Sequence, residues 1–182
     1  MIKVSKFLYI HPLFVILAVF SYINRFLGDF FINFSIITLH ELAHLISAKF
    51  LGLTPKHIII YPFGANLRLK NTMLFSISDE VILYLSGPLL NAFLAILSLI
   101  FISYNDMFSE IYYKNLSLFI INILPIAPLD GGMVLKKLMI YKFGFLKGNK
   151  LSKIISIVCL FPLAIGFFVL IKENKYNSYL FI

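Results

Sequence analysis

The sequence has no tryptophan, a single cysteine and few charged residues, and each scarcity excludes something. Only 13% of its residues are Asp, Glu, Lys or Arg, against 60% hydrophobic, and its mean hydropathy is +0.94. Soluble domains carry roughly 25% charged residues, so a soluble domain is excluded and the chain reads as an integral membrane protein. One cysteine, Cys159, excludes an intrachain disulfide. It lies in an apolar run, where a thiol behaves as a small buried hydrophobe. With no Trp, the 10 Tyr must supply most of the interfacial anchoring. The net charge is +8, but the basic residues are scattered through loops between apolar runs and form no basic face. No nucleic-acid partner is expected. Internal repeats and low-complexity segments are absent.

What is present is a series of long apolar runs, at about residues 8–26, 31–50, 80–102, 112–124 and 154–171. About 20 apolar residues cross a bilayer as a helix. The expected fold class is therefore an all-α polytopic membrane protein with five transmembrane helices, or six if the C-terminus adds one. The start, MIKVSKF and its apolar run, carries no A-x-A-like cleavage site and reads as a retained first span. His11, beside Pro12, reads as interfacial and His57 as a surface residue.

After the second run, Gly52 and Pro55 stop the helix. Residues 56–61 (KHIIIY) and 66–70 (NLRLK) then read as two short strands, a membrane-associated β-hairpin around Tyr61, Pro62, Phe63 and Gly64. Such a hairpin is either an ordinary cytoplasmic turn or an edge that pairs with an extended peptide substrate. Ser78 and Asp79 are the expected N-caps of the third span. Residues 133–141 read as a short interfacial helix followed by a basic loop. Stretches 1–7, 51–79 and 131–153 hold most of the Lys and Arg, which places them and the N-terminus in the cytoplasm.

The second run contains His40-Glu41-Leu42-Ala43-His44, the H-E-x-x-H pattern. Residues four apart share a helix face, so His40 and His44 can bind one metal ion, and Glu41 can act as general base on a water beside it. Three ionisable groups in a membrane segment are costly unless partnered. His44 precedes the cytoplasm-proximal Lys49 by five residues, which puts it roughly 8 Å into the membrane. Asp130 ends the fourth run near the same depth. It can cap the next helix or serve as third ligand; two nitrogens and one oxygen leave the fourth zinc position open for catalysis. Asn91, a polar group in the third run, either joins helices or lines the cleft. Asn91 and Asn122 are the candidate oxyanion donors. Ser86, Gly87 and Pro88 break the third run; Pro125, Pro128, Gly131 and Gly132 unwind the end of the fourth.

These residues carry a resemblance. His40-Glu41-Leu42-Ala43-His44, Asn122-Ile123-Leu124-Pro125 leading into Pro128-Leu129-Asp130-Gly131-Gly132, Ser86-Gly87-Pro88 with Asn91, and Tyr61-Pro62-Phe63-Gly64-Ala65 together resemble the site-2-type intramembrane zinc metalloproteases, and within them the sporulation branch. The resemblance covers roughly residues 1–170. It implies one metalloprotease domain over residues 1–182 with a catalytic core at about 31–132. It implies one Zn2+ held by His40, His44 and Asp130, with Glu41 as base. It also implies membrane-tethered regulatory proteins as substrates, a membrane regulatory partner and a bacterial cell membrane as the location. The CBS and PDZ domains of some relatives are not expected here. A small membrane transporter, or a non-catalytic zinc-binding scaffold, is the competing class. The transporter would need inverted repeats, which the sequence does not show.

Overall fold

The computed structural model describes residues 2–3, 8–10, 12–53, 55–61, 64–69 and 76–172. His11, Pro62, Phe63 and the tail from residue 173 lie outside the described residues. The chain forms two compact units, residues 1–120 and residues 121–182.

The first unit begins with strands β1 (Ile2–Lys3) and β2 (Leu8–Ile10). Helices α1 (Pro12–Ile23) and α2 (Leu27–Phe50) follow, then strands β3 (Pro55–Tyr61) and β4 (Gly64–Leu69). The strands make one sheet in the order β1-β2-β3-β4. β2 pairs parallel to β3, with Leu8 opposite Ile58 and Ile10 opposite Ile60. Parallel strands need a long crossover, and α1 and α2 provide it. β3 pairs antiparallel to β4, with Tyr61 opposite Gly64. Pro12 opens α1, where its missing N–H costs nothing.

α2 ends in a Schellman motif. Gly52 adopts φ +76°, its N–H donates to the Lys49 carbonyl at 3.1 Å, and Leu53 N–H donates to that of Ala48 at 2.8 Å. Leu53 packs on Ala48 and on Leu83 of the next helix, α3 (Ile77–Ile100), which seats α2 on α3. α3 starts two to three residues earlier than its sequence suggests. Ser76 is the N-cap, its hydroxyl accepts from Asp79 N–H, and the Asp79 side chain accepts from Ser76 N–H, a reciprocal capping box. α4 (Asp106–Ile123) follows.

In the second unit, α5 (Asp130–Phe143) and α6 (Phe145–Lys172) fold back on each other at Gly144, with φ +77°. A Cβ at Gly148 would strike the α5 backbone at Met139 and Ile140, so its absence lets the helices touch.

The all-α description with five or six spans does not hold. Six helices are described, and three are long and apolar enough to cross a membrane: α2, α3 and Phe145–Gly166 of α6. They make this an integral membrane protein. The first apolar run is divided between β2 and α1, and the 12 residues of α1 reach only about 18 Å. α4 carries Asp106, Glu110 and Lys114 within its 18 residues. α6 begins at Phe145, so Lys147, Lys150 and Lys153 lie on a helix rather than in a loop. β3 and β4 do pair antiparallel where the hairpin is expected, but as part of a four-stranded sheet whose other strands come from the N-terminus. Apolar runs show where chain can be buried. They do not show that Leu8, Tyr9 and Ile10 would find backbone partners about fifty residues away.

Candidate metal centre

The buried side chains of α2 are Ile36, His40, His44 and Ala48, one every four residues. This stripe faces α3, whose buried positions include Leu83, Gly87, Pro88, Asn91 and Ala95. The helical period thus delivers both histidines to one interface.

Each ring is held by its Nδ1 atom. Nδ1 of His40 meets Oδ1 of Asn91 at 2.5 Å. Nδ1 of His44 meets the Leu83 carbonyl oxygen at 2.8 Å and Ser86 Oγ at 3.1 Å. Ser86 gives its own proton to that same carbonyl at 2.7 Å, so its oxygen is free to accept from His44. With Nδ1 engaged on both rings, the two Nε2 atoms face each other 3.2 Å apart, and the rings stand at 85°. Two neutral ring nitrogens presenting lone pairs to each other repel, and a shared cation turns that repulsion into coordination. Two nitrogens on a tetrahedral zinc at 2.0–2.1 Å would be about 3.3 Å apart. The pair therefore fits zinc.

Gly87 makes this packing possible. A Cβ there would lie 2.5 Å from Nε2 of His44 and 2.7 Å from Nε2 of His40. The atoms it would strike are the donor atoms of rings already held at Nδ1, so they cannot swing aside. Gly87→Ala is expected to reduce zinc affinity by more than about tenfold, the scale of a lost outer contact at a metal site, as read by competition with a chelator. Unchanged affinity would mean that the rings have room the packing does not suggest.

Within the second unit, residues 124–129 form the non-helical link into α5. Ser156 of α6 anchors it: Ser156 Oγ accepts from Ala127 N–H at 3.2 Å and lies 3.2 Å from the Pro125 carbonyl oxygen. A Cβ at Gly131 would strike the backbone of Ile123 and Leu124, and one at Gly132 that of Ile126 and Ala127. The glycine pair lets the first turn of α5 lie against this link. Asp130 is the first residue of α5, Leu129 is its N-cap without a side-chain cap bond, and Pro125 and Pro128 lie in the link.

Both histidines are buried, while Asp130, Glu41 and Asn122 are partly buried. Asn91 is fully buried and engaged at both ends, with Oδ1 on His40 and Nδ2 donating to Oδ1 of Asn115 at 2.9 Å. Of the two uses its sequence position allows, its bonds are those of a residue joining helices. Pro88 is also fully buried. Tyr61 and Gly64 form the β3–β4 end pair. Asn115 and Ser156 escape a motif-based reading. An amide amid the apolar residues of the fourth run was the available signal for Asn115, the same signal that marks Asn91; a serine in a membrane helix is too common to mark Ser156.

The model of peptidase family M50 matches residues 30–109. Stage IV sporulation protein FB of Bacillus subtilis (strain 168) is 27% identical over 167 residues, covering 90% of this chain and 57% of that protein. Zinc metalloprotease MJ0392 of Methanocaldococcus jannaschii is 29% identical over 130 residues, covering 68% of this chain and 38% of that protein. The chain thus spans little more than half, or less, of these relatives' lengths. The solved site-2 protease from Methanocaldococcus jannaschii superposes with a TM-score of 0.69 at 25% identity, over 96% of this chain and 85% of that one. The matched stretch contains both histidines, Glu41 and the Ser86–Asn91 segment that holds the rings, so the likeness to peptidase family M50 and to the solved site-2 protease includes the residues that build this site.

Proposed function

We propose that this chain is an intramembrane zinc metalloendopeptidase that cuts membrane-tethered regulatory proteins near the cytoplasmic side of the bilayer. The observation that carries the reading is the pair of Nε2 atoms 3.2 Å apart on a helix long enough to span a membrane. His40, His44 and Asp130 would hold one zinc ion, leaving a fourth position for reactants. Zinc bound there would supply Lewis acidity, making a water acidic enough to react near neutral pH and polarising the scissile carbonyl. Glu41, one position round α2 from His40, would take the proton of the attacking water and pass it to the leaving nitrogen. Asn122 is the candidate donor to the developing oxyanion.

A substrate helix hides its amides in its own hydrogen bonds and must unwind before cleavage. Among the described residues β4 has β3 as its single neighbour in the sheet and so offers an edge. An unwound segment pairing there, near Tyr61 and Gly64, is the proposed route by which the substrate presents its backbone. Pro62 and Phe63, outside the described residues, are substrate-edge candidates on their sequence position alone. The basic stretches around residues 51–79 and 131–153 support a cytoplasmic placement for this face, and a bacterial cell membrane is the proposed location. A membrane partner that gates access is part of the same proposal.

The test is cleavage of a membrane-tethered peptide by purified protein in lipid vesicles. Activity is expected to disappear with a zinc chelator and to return with added Zn2+. Cleavage that persists in chelator overturns the zinc reading. Stoichiometric zinc binding without cleavage of any helical substrate would favour the scaffold class instead.

A further inference from the structure

Asn115 has no part in the chemistry above, yet it is fully buried on α4. Its Nδ2 donates to the Ile111 carbonyl oxygen, one turn back, at 2.9 Å. A carbonyl can only accept, so this amide has one orientation: Nδ2 toward Ile111, Oδ1 toward Asn91. Asn91 must then present Nδ2 to Asn115, at 2.9 Å, and Oδ1 to His40 Nδ1, at 2.5 Å. Oδ1 can only accept. His40 therefore carries its proton on Nδ1, and its lone pair is on Nε2, the atom turned toward Nε2 of His44. Reversing either carboxamide would set like groups against each other between side chains that are 0% exposed, where water cannot compensate. The polarity thus starts at a helix carbonyl and ends at a ring nitrogen.

The neighbouring residue secures the geometry. Lys114 lies 3.7 Å from the Asp29 carboxylate at the start of α2 and also pairs with Glu110, so α4 is tied to the helix that bears His40.

We propose that Asn115 is a positioning residue of the metal centre: acting through Asn91, it holds His40 in the Nδ1–H tautomer that leaves Nε2 available to a metal ion. This rests on the reading of His40 and His44 as zinc ligands and adds a residue that is neither ligand nor base.

The test begins with zinc binding by the unaltered full chain in detergent, measured by chelator competition. No binding there defeats the zinc reading itself, independently of Asn115. Asn115→Leu removes the amide while keeping the number and branching of the side-chain heavy atoms. It is expected to weaken zinc binding about tenfold. In the metal-free protein it should turn the ring 15N signature of His40 from a single Nδ1–H tautomer into a mixture. Asn91→Asp supplies only acceptor oxygens to His40, whatever stands behind them. In that background, adding Asn115→Leu is expected to cost less than about twofold. Equal losses in both backgrounds, or an unchanged single tautomer in Asn115→Leu, would reduce Asn115 to packing and overturn the proposal. Asn115→Ala, judged by the same two readouts, serves if leucine is not accommodated.

Discussion

Glu41→Gln is expected to keep zinc bound while peptide cleavage falls by about 10²–10⁴-fold, the range that positioned proton transfer contributes. Glutamine matches glutamate in shape and hydrogen-bonding reach, but its amide cannot take a proton from water. Glu41 is also outside the buried stripe of α2 formed by Ile36, His40, His44 and Ala48, so the helix packing does not depend on it. The ring supports at Asn91, Leu83 and Ser86 are untouched by the change. Two measurements on one sample check this: zinc content and the rate of cleavage of a membrane-tethered peptide. A variant that holds zinc and still cuts at a tenth of the normal rate or better removes Glu41 from the role of base. A variant that loses zinc assigns it a part in holding the metal.

Asp130→Ala is expected to lower both quantities together. If Asp130 is the third ligand, zinc affinity should fall by more than about a hundredfold, beyond what an outer-shell change costs, and cleavage should fall with it. The competing use is local. Asp130 lies in the first turn of α5, where a carboxylate favours the positive helix end by about 0.3–1 kcal/mol. Losing that would lower the unfolding temperature slightly and leave zinc alone. Chelator competition and a thermal melt on the same variant therefore separate the two. Retained zinc with retained cleavage would sink the three-ligand centre.

Much of the site was legible because its chemistry is written at fixed spacing. H-E-x-x-H sets two histidines and a glutamate on neighbouring faces of any helix that contains it, and the residues flanking it are apolar enough to require such a helix. Glycines adjacent to a motif were legible as places of close approach, though not what approaches: a Cβ at Gly87 would meet the histidine rings, whereas one at Gly131 or Gly132 would meet the chain's own backbone. The number of spans was not legible, since a run such as residues 8–26 satisfies strand and helix alike until a partner strand exists. The capping box at Ser76 and Asp79 was within reach of the sequence, but the serine at position 78 offered a rival start two residues inward.

By itself, the sequence determined that the protein lies in a membrane, that α2 carries the paired histidines and Glu41, and that an unwound link with two prolines precedes Asp130. These follow from composition and from periodicity along one segment of chain. Tertiary structure alone decided the sheet that joins the N-terminus to residues 55–69 and the hold of Asn91, Leu83 and Ser86 on the two imidazoles. Those features depend on groups tens of residues apart meeting at hydrogen-bond distance, and no local pattern encodes which distant amide or carbonyl will be there when the helices pack.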